Sequence, residues 1–217
     1  RTGTNMLLEI LRASPQLKAT EVAEDKNVFY RSEKLPENYL SKCDTVYIPD
    51  FGMTKRLLDD NPKLRILWTI RDLRDTALSK IYRGQPGQDS PTLSDDATHA
   101  GCLKDLGWMQ RIYKFIKANY PERILIVKME NVILDFENTI KEVCNFCEIG
   151  YTIEMEEFTS RYRNKHKANR YKGLDPKQVA IYKNLETAYN GFFNSHSINI
   201  DSLFSDLKPF QEEFGYE

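Results

Sequence analysis

Apolar residues recur along this chain in two patterns, one at the helical period and one as short continuous runs, and the two alternate. Met6, Leu7, Ile10 and Leu11 follow the helical period and predict a helix over 4–13. A short strand is expected near 17–22, and Thr45-Val46-Tyr47-Ile48 reads as a better one, closed by Pro49 and Asp50. Thr54 to Asp60 reads as a short helix ended by Asn61-Pro62, and Leu64 to Ile70 as a strongly buried strand that stops at Arg71. Asp75 to Tyr82 has helical character, whereas Gly84 to Thr98 is rich in Gly, Pro, Ser and Asp and reads as a surface loop or lid. Leu106, Met109, Ile112, Phe115 and Ile116 predict an amphipathic helix over 103–118, broken by Pro121. A buried strand follows over 123–129, then a helix over 136–148, a basic connector over 161–173 and a helix over 176–190 introduced by Asp175-Pro176. This alternation predicts an α/β fold with a mainly parallel sheet.

Composition bounds the picture. The 217 residues, 41% hydrophobic and 29% charged, suit one domain over 1–217 with a full-sized core. A net charge of -1 from 31 basic and 32 acidic residues exerts no global pull on nucleic acid or membrane, so any anion site must be a local cluster. No apolar run approaches the roughly 18–20 residues of a membrane span and no secretory leader is visible, so the domain reads as soluble. A strand that normally precedes a phosphate loop, and any targeting segment, are expected upstream of Arg1. Cys144 and Cys147 have the spacing of half a zinc site or a redox pair. They fall on a helical pattern with no second Cys/His pair at a suitable spacing, so they read as small core residues. With Cys43 and Cys102 they lean toward a reducing, cytoplasmic compartment.

Two segments carry chemistry. Arg1-Thr2-Gly3-Thr4-Asn5-Met6 runs from a cation through small residues into a helix, which is how a phosphate cradle begins: the first N–H groups of the helix face the loop. The loop lacks the Gly-Lys-Ser/Thr ending of a nucleoside triphosphatase, which disfavours ATP. Arg71 leaves the C-terminal end of a buried strand and Ser79 follows eight residues later on the next helix, so a guanidinium fork and a hydroxyl are available to one anion at the edge where parallel sheets gather ligands. Surface ion pairs among Arg71, Asp72, Arg74 and Asp75 are the plainer alternative.

In combination these segments resemble the sulfotransferases that use 3′-phosphoadenosine 5′-phosphosulfate. That family's 5′-phosphosulfate loop reads Lys/Arg-Ser/Thr-Gly-Thr-Thr/Asn, as Arg1 to Asn5 do, and its 3′-phosphate motif reads Arg-Asp-Pro-Arg-Asp with a serine at the spacing of Arg71 to Ser79, Leu73 replacing the proline. Trp108 at the head of a helix, Arg123 to Val132 and Thr139 to Ile149 resemble further blocks in the right order, so the likeness extends over about residues 1–190. The resemblance implies a three-layer α/β fold of the P-loop type, a central mainly parallel sheet flanked by helices. It implies sulfuryl transfer from that donor to a hydroxyl or amine without a metal, 3′,5′-adenosine bisphosphate being the other product. Arg1 then stands where the family has its catalytic cation, with ground-state binding as its lesser alternative. Thr2, Gly3, Thr4, Asn5 and the N–H of Met6 supply the cradle.

An acceptor hydroxyl must lose a proton, so a base belongs beside the transferred group. Glu21 is the first choice, because Arg1 to Glu21 resembles without gaps the tyrosylprotein and related bacterial branch, whose base follows the loop by about 20 residues. Glu24 offers the same chemistry nearby, and His99, expected in the lid, corresponds loosely to the histidine base of the cytosolic branch. His166 and His196 read as surface residues. The run Arg161 to Gly173 holds six Lys/Arg and no acid. Its place resembles the family's closing segment, with Arg170, Lys172 and Gly173 over the 3′-phosphate and adenosine. The acceptor, whether small molecule, sugar or peptide, is expected among the loops 22–44, 83–102 and 150–170, whose aromatics include Phe29, Tyr30, Tyr39, Tyr151 and Phe158. A nucleoside or metabolite kinase and a noncatalytic nucleotide- or polyanion-binding protein are the competing classes. No nucleic-acid partner is expected.

Overall fold

The computed structural model describes residues 4–20, 25–31, 34–73, 76, 99–157, 205 and 208–216, of which 5, 46 and 99–103 are described in their backbone alone. Its centre is a parallel pair, β3 (Ile66–Ile70) and β4 (Ile124–Lys128), in register from Ile66 opposite Ile124 to Ile70 opposite Lys128. β1 (Lys18–Ala19) and β2 (Tyr39–Leu40) form a second, two-residue parallel pair.

Strand alternation sorts the core into two clusters. Trp68, Ile70 and Ile124, with Ile66 and Ile126 against them, pack on α2 (Phe51–Asp60), α3 (His99–Asn119) and α6 (Lys208–Glu213) through Leu58, Leu106, Ile112, Tyr113, Ile116 and Phe210. Val127, with Leu67 and Leu125, packs on α1 (Thr4–Leu11), α4 (Met129–Leu134) and α5 (Phe136–Cys147) through Met6, Ile10, Val132, Ile140 and Val143. Helices therefore cover both faces of the β3–β4 pair, as a parallel sheet requires.

Local chemistry sets the boundaries. Asp50 caps α2 by accepting from the Met53 N–H at 2.7 Å, so this helix begins at Phe51 rather than at Thr54. The expected strand at Thr45-Val46-Tyr47-Ile48 is instead a 3₁₀ turn over Thr45–Tyr47: Tyr47 N–H donates to Asp44 C=O at 3.0 Å and Ile48 N–H to Thr45 C=O at 3.1 Å. Those local bonds take the place of a ladder, and Ile48, itself buried, accepts from Trp108 Nε1 at 3.2 Å. Trp108 lies in the middle of α3 and not at its head, because α3 starts at His99. That start takes His99 out of the expected lid and residues 99–102 out of the expected acceptor loop 83–102. β4 stops at Lys128 and the chain re-enters helix at once as α4, which buries Met129 and Val132. The expected loop over 84–98, the connector over 161–173 and the helix over 176–190 lie outside the described residues, as does most of 75–82.

Arg123 ties the layers together. The residue is 7% exposed, and its guanidinium donates to three main-chain carbonyls in the last turn of α2 and the connection to β3: Leu58 at 2.8 Å, Leu64 at 3.0 Å and Asn61 at 2.5 Å. The Arg123→Leu substitution removes three donors at once, the Asn61 carbonyl keeping the Leu64 N–H at 2.9 Å, and should cost on the order of 3 kcal/mol, read as a lower urea midpoint at unchanged slope.

Candidate active site

The N-terminal end of α1 meets the C-terminal end of β3. Thr4 Oγ1 lies 3.0 Å from Thr69 Oγ1, one hydroxyl donating to the other. Thr69 belongs to the strand face that carries Leu67 toward α1, so the contact follows from the same alternation that builds the core. Arg71 follows two residues later, half-buried, at the level where both strands end. The first turn of an α-helix directs main-chain N–H groups out of its end, here those of Thr4, Asn5 and Met6. A cradle of backbone dipoles and a guanidinium thus share one edge of the sheet.

Thr4, Thr69, Arg71 and Thr76 line one end of a cavity of about 1220 Å³. The space exceeds the roughly 300–1,000 Å³ of a small-molecule pocket, because it continues past Leu64 and Arg65 along the edge of β3 away from β4. The mouth is polar where it matters. Thr76 Oγ1 is buried without a hydrogen-bond partner, a hydroxyl suited to meet an oxygen of a bound anion. The turn after β3 is held from below: Asp72 N–H donates to Glu130 Oε1 at 3.1 Å.

Of the residues singled out in the sequence, Thr4 and Arg71 are brought to the same cavity. Met6 is 2% exposed, its side chain in the core, so only its main chain is available to a ligand. His99 is the first residue of α3, its side chain undescribed, and Asn5 is likewise placed by its backbone alone. Arg1, Thr2, Gly3, Glu21, Glu24, Ser79, Arg170, Lys172 and Gly173 lie outside the described residues. Among the aromatics suggested for the acceptor slot, Phe29 and Tyr39 line the cavity, but Phe29 belongs to the core and Tyr39 donates its hydroxyl to the buried Asp25. Tyr30 is exposed, Tyr151 donates to Glu156 at 2.7 Å, and Phe158 is outside the described residues. Thr69, Thr76 and Glu130 were not singled out for the site. Thr69 had a signal, the one hydroxyl inside an apolar strand run.

Residues 1–199 of the 217 match the family model for the sulfotransferase domain. The chain belongs to the sulfotransferase family, which carries with it a P-loop-like α/β fold and sulfuryl transfer as the general chemistry. No curated protein matches the chain. Among the described residues no helix is long and apolar enough to cross a membrane.

Cys144 and Cys147 occupy the core side of α5 as free thiols, Cys144 Sγ lying 3.7 Å from Met155 Sδ. Burial, reinforced by the neighbouring Cys144, pushes the Cys147 thiol up to about 11. A thiol held protonated is a poor nucleophile and a poor metal ligand near neutral pH. Iodoacetamide at pH 8 should therefore alkylate Cys147 roughly a hundredfold more slowly than a free thiol of ordinary pKa, with the rate rising as pH approaches 11. Peptide mapping of the native protein reads this directly.

Proposed function

We propose that the protein transfers a sulfuryl group from 3′-phosphoadenosine 5′-phosphosulfate to a hydroxyl or amine of a small-molecule, sugar or peptide acceptor, within a single domain. The observation that carries this reading is the 3.0 Å contact between Thr4 and Thr69, which brings the loop side of α1 within two residues of Arg71 at one cavity mouth. Two anion grips on one mouth suit a nucleotide charged at both its 5′ and 3′ positions.

In this reading the cradle of Arg1, Thr2, Gly3, Thr4, Asn5 and the Met6 N–H holds the 5′-phosphosulfate, and Arg71 with Ser79 holds the 3′-phosphate. Arg170, Lys172 and Gly173 close over the nucleotide. The acceptor oxygen attacks sulfur and gives its proton to Glu21; the bond from sulfur to the bridging phosphate oxygen breaks, and its electron pair leaves on 3′,5′-adenosine bisphosphate. Charge develops on that bridging oxygen, where the helix N–H groups and Arg1 oppose it. No metal takes part in this scheme. A cytoplasmic compartment belongs to the same reading, supported by the thiols of Cys43, Cys144 and Cys147.

Isothermal titration tests the grip. Arg71→Ala should weaken 3′,5′-adenosine bisphosphate by about tenfold to a hundredfold and adenosine 5′-phosphosulfate by less than about twofold; equal losses would remove Arg71 from the 3′-phosphate. A radiolabelled-donor screen over hydroxyl and amine acceptors tests turnover. Glu21→Gln should then lower kcat by roughly a hundredfold or more with bisphosphate affinity kept, while His99→Ala retains activity. The reverse pattern assigns the base to His99.

A further inference from the structure

The C-terminal turn of the chain is built onto the strand end that carries Arg71. Phe210 and Phe214 anchor α6 in the core, their rings 4.5 Å apart and both against Tyr113 of α3. Gly215, at φ +68°, turns the chain back through Tyr216 N–H donating to Gln211 C=O at 3.1 Å. The reversal lays the Tyr216 ring 4.8 Å from Lys128 Nζ and points its hydroxyl at Glu130 Oε2, 2.7 Å away. The other oxygen of Glu130 accepts from the Asp72 main chain at 3.1 Å, and Gln211 Nε2 donates to Asp72 Oδ1 at 3.4 Å. Burial and the Glu130 carboxylate hold the Tyr216 hydroxyl far above its ordinary pKa, so it remains a donor.

We infer that Glu130 is a positioning residue for Arg71, and that the last turn of the chain, through Tyr216, holds Glu130 to that task. Arg71 sits between Ile70, fully buried in β3, and Asp72, whose main chain and carboxylate are both engaged. A backbone pinned on both sides aims the guanidinium before a ligand arrives, which removes part of the ordering cost of binding. Glu130 has one oxygen engaged by Tyr216 and the other by Asp72, so its work is to orient. Of the clasp, Asp72 and Glu130 lie within residues 1–199, the stretch that matches the family, and Gln211 and Tyr216 lie beyond it. The inference rests on the reading of Arg71 as the 3′-phosphate contact.

The test is the preference for 3′,5′-adenosine bisphosphate over adenosine 5′-monophosphate, measured by isothermal titration on the full chain. Glu130→Ala should lose about tenfold of that preference while affinity for the monophosphate stays within about twofold. Glu130→Gln keeps an oxygen for the Asp72 N–H and should restore most of it. Tyr216→Phe removes one hydroxyl while leaving the ring in place, and should lose about threefold. An unchanged preference in folded Glu130→Ala, or equal losses for both nucleotides, overturns the positioning role. Should Glu130→Ala fail to fold, Tyr216→Phe decides by the same criterion. A wild-type chain without the preference, or an Arg71→Ala variant that keeps it, overturns instead the donor reading and this inference with it.

Discussion

Everything at the candidate site depends on the in-register parallel pairing of β3 with β4. Parallel strands in register end at the same level, so the turns that follow them open on one edge, and there Arg71 and the start of α4 become neighbours. The same pairing alternates side chains between two faces, which sends Leu67 and Thr69 toward α1 and Trp68 and Ile70 toward α3. Without that register Thr69 would not reach Thr4, and the cradle and the guanidinium would have no fixed separation.

The supports around this pair are polar groups used where apolar packing cannot specify position. Arg123 gives three of its donors to carbonyls of α2 and the α2–β3 connection, and so fixes the far end of β3. Glu130 does the equivalent at the near end through the Asp72 N–H. A buried charge such as Arg123 adds little net stability over a well-packed apolar group, but it is costly to strip of its partners and it defines geometry. In the proposed function, in which one ligand is held by two anionic ends, a strand clamped at both ends keeps the two grips at a fixed separation.

The chemistry proposed for the site is read from short contiguous motifs, of which the structure brings Thr4 and Arg71 to one cavity. Arg1 to Met6 and Arg71 to Ser79 each combine a cation, small or hydroxylated residues and a following helix, and such combinations depend on neighbours along the chain. Among the described residues, the order of the main helices and the β3–β4 strands was likewise readable from periodicity, with errors where local hydrogen bonding won. Thr45 to Tyr47 has strand propensity but closes on itself as a 3₁₀ turn, and α4 follows β4 without the usual loop. Neither outcome is encoded in periodicity, since propensity yields to whichever partner the backbone finds.

The sequence alone determined the alternation of elements among the described residues, the apolar faces and the family to which the chain belongs. Tertiary structure decided which of those pieces meet. That Thr69 faces Thr4, that Glu130 holds the residue after Arg71, and that Tyr216 near the chain's end reaches back to Glu130 are contacts spanning 65, 58 and 86 positions. Contacts of that range arise from strand register and helix packing, which many residues set together and no local motif records.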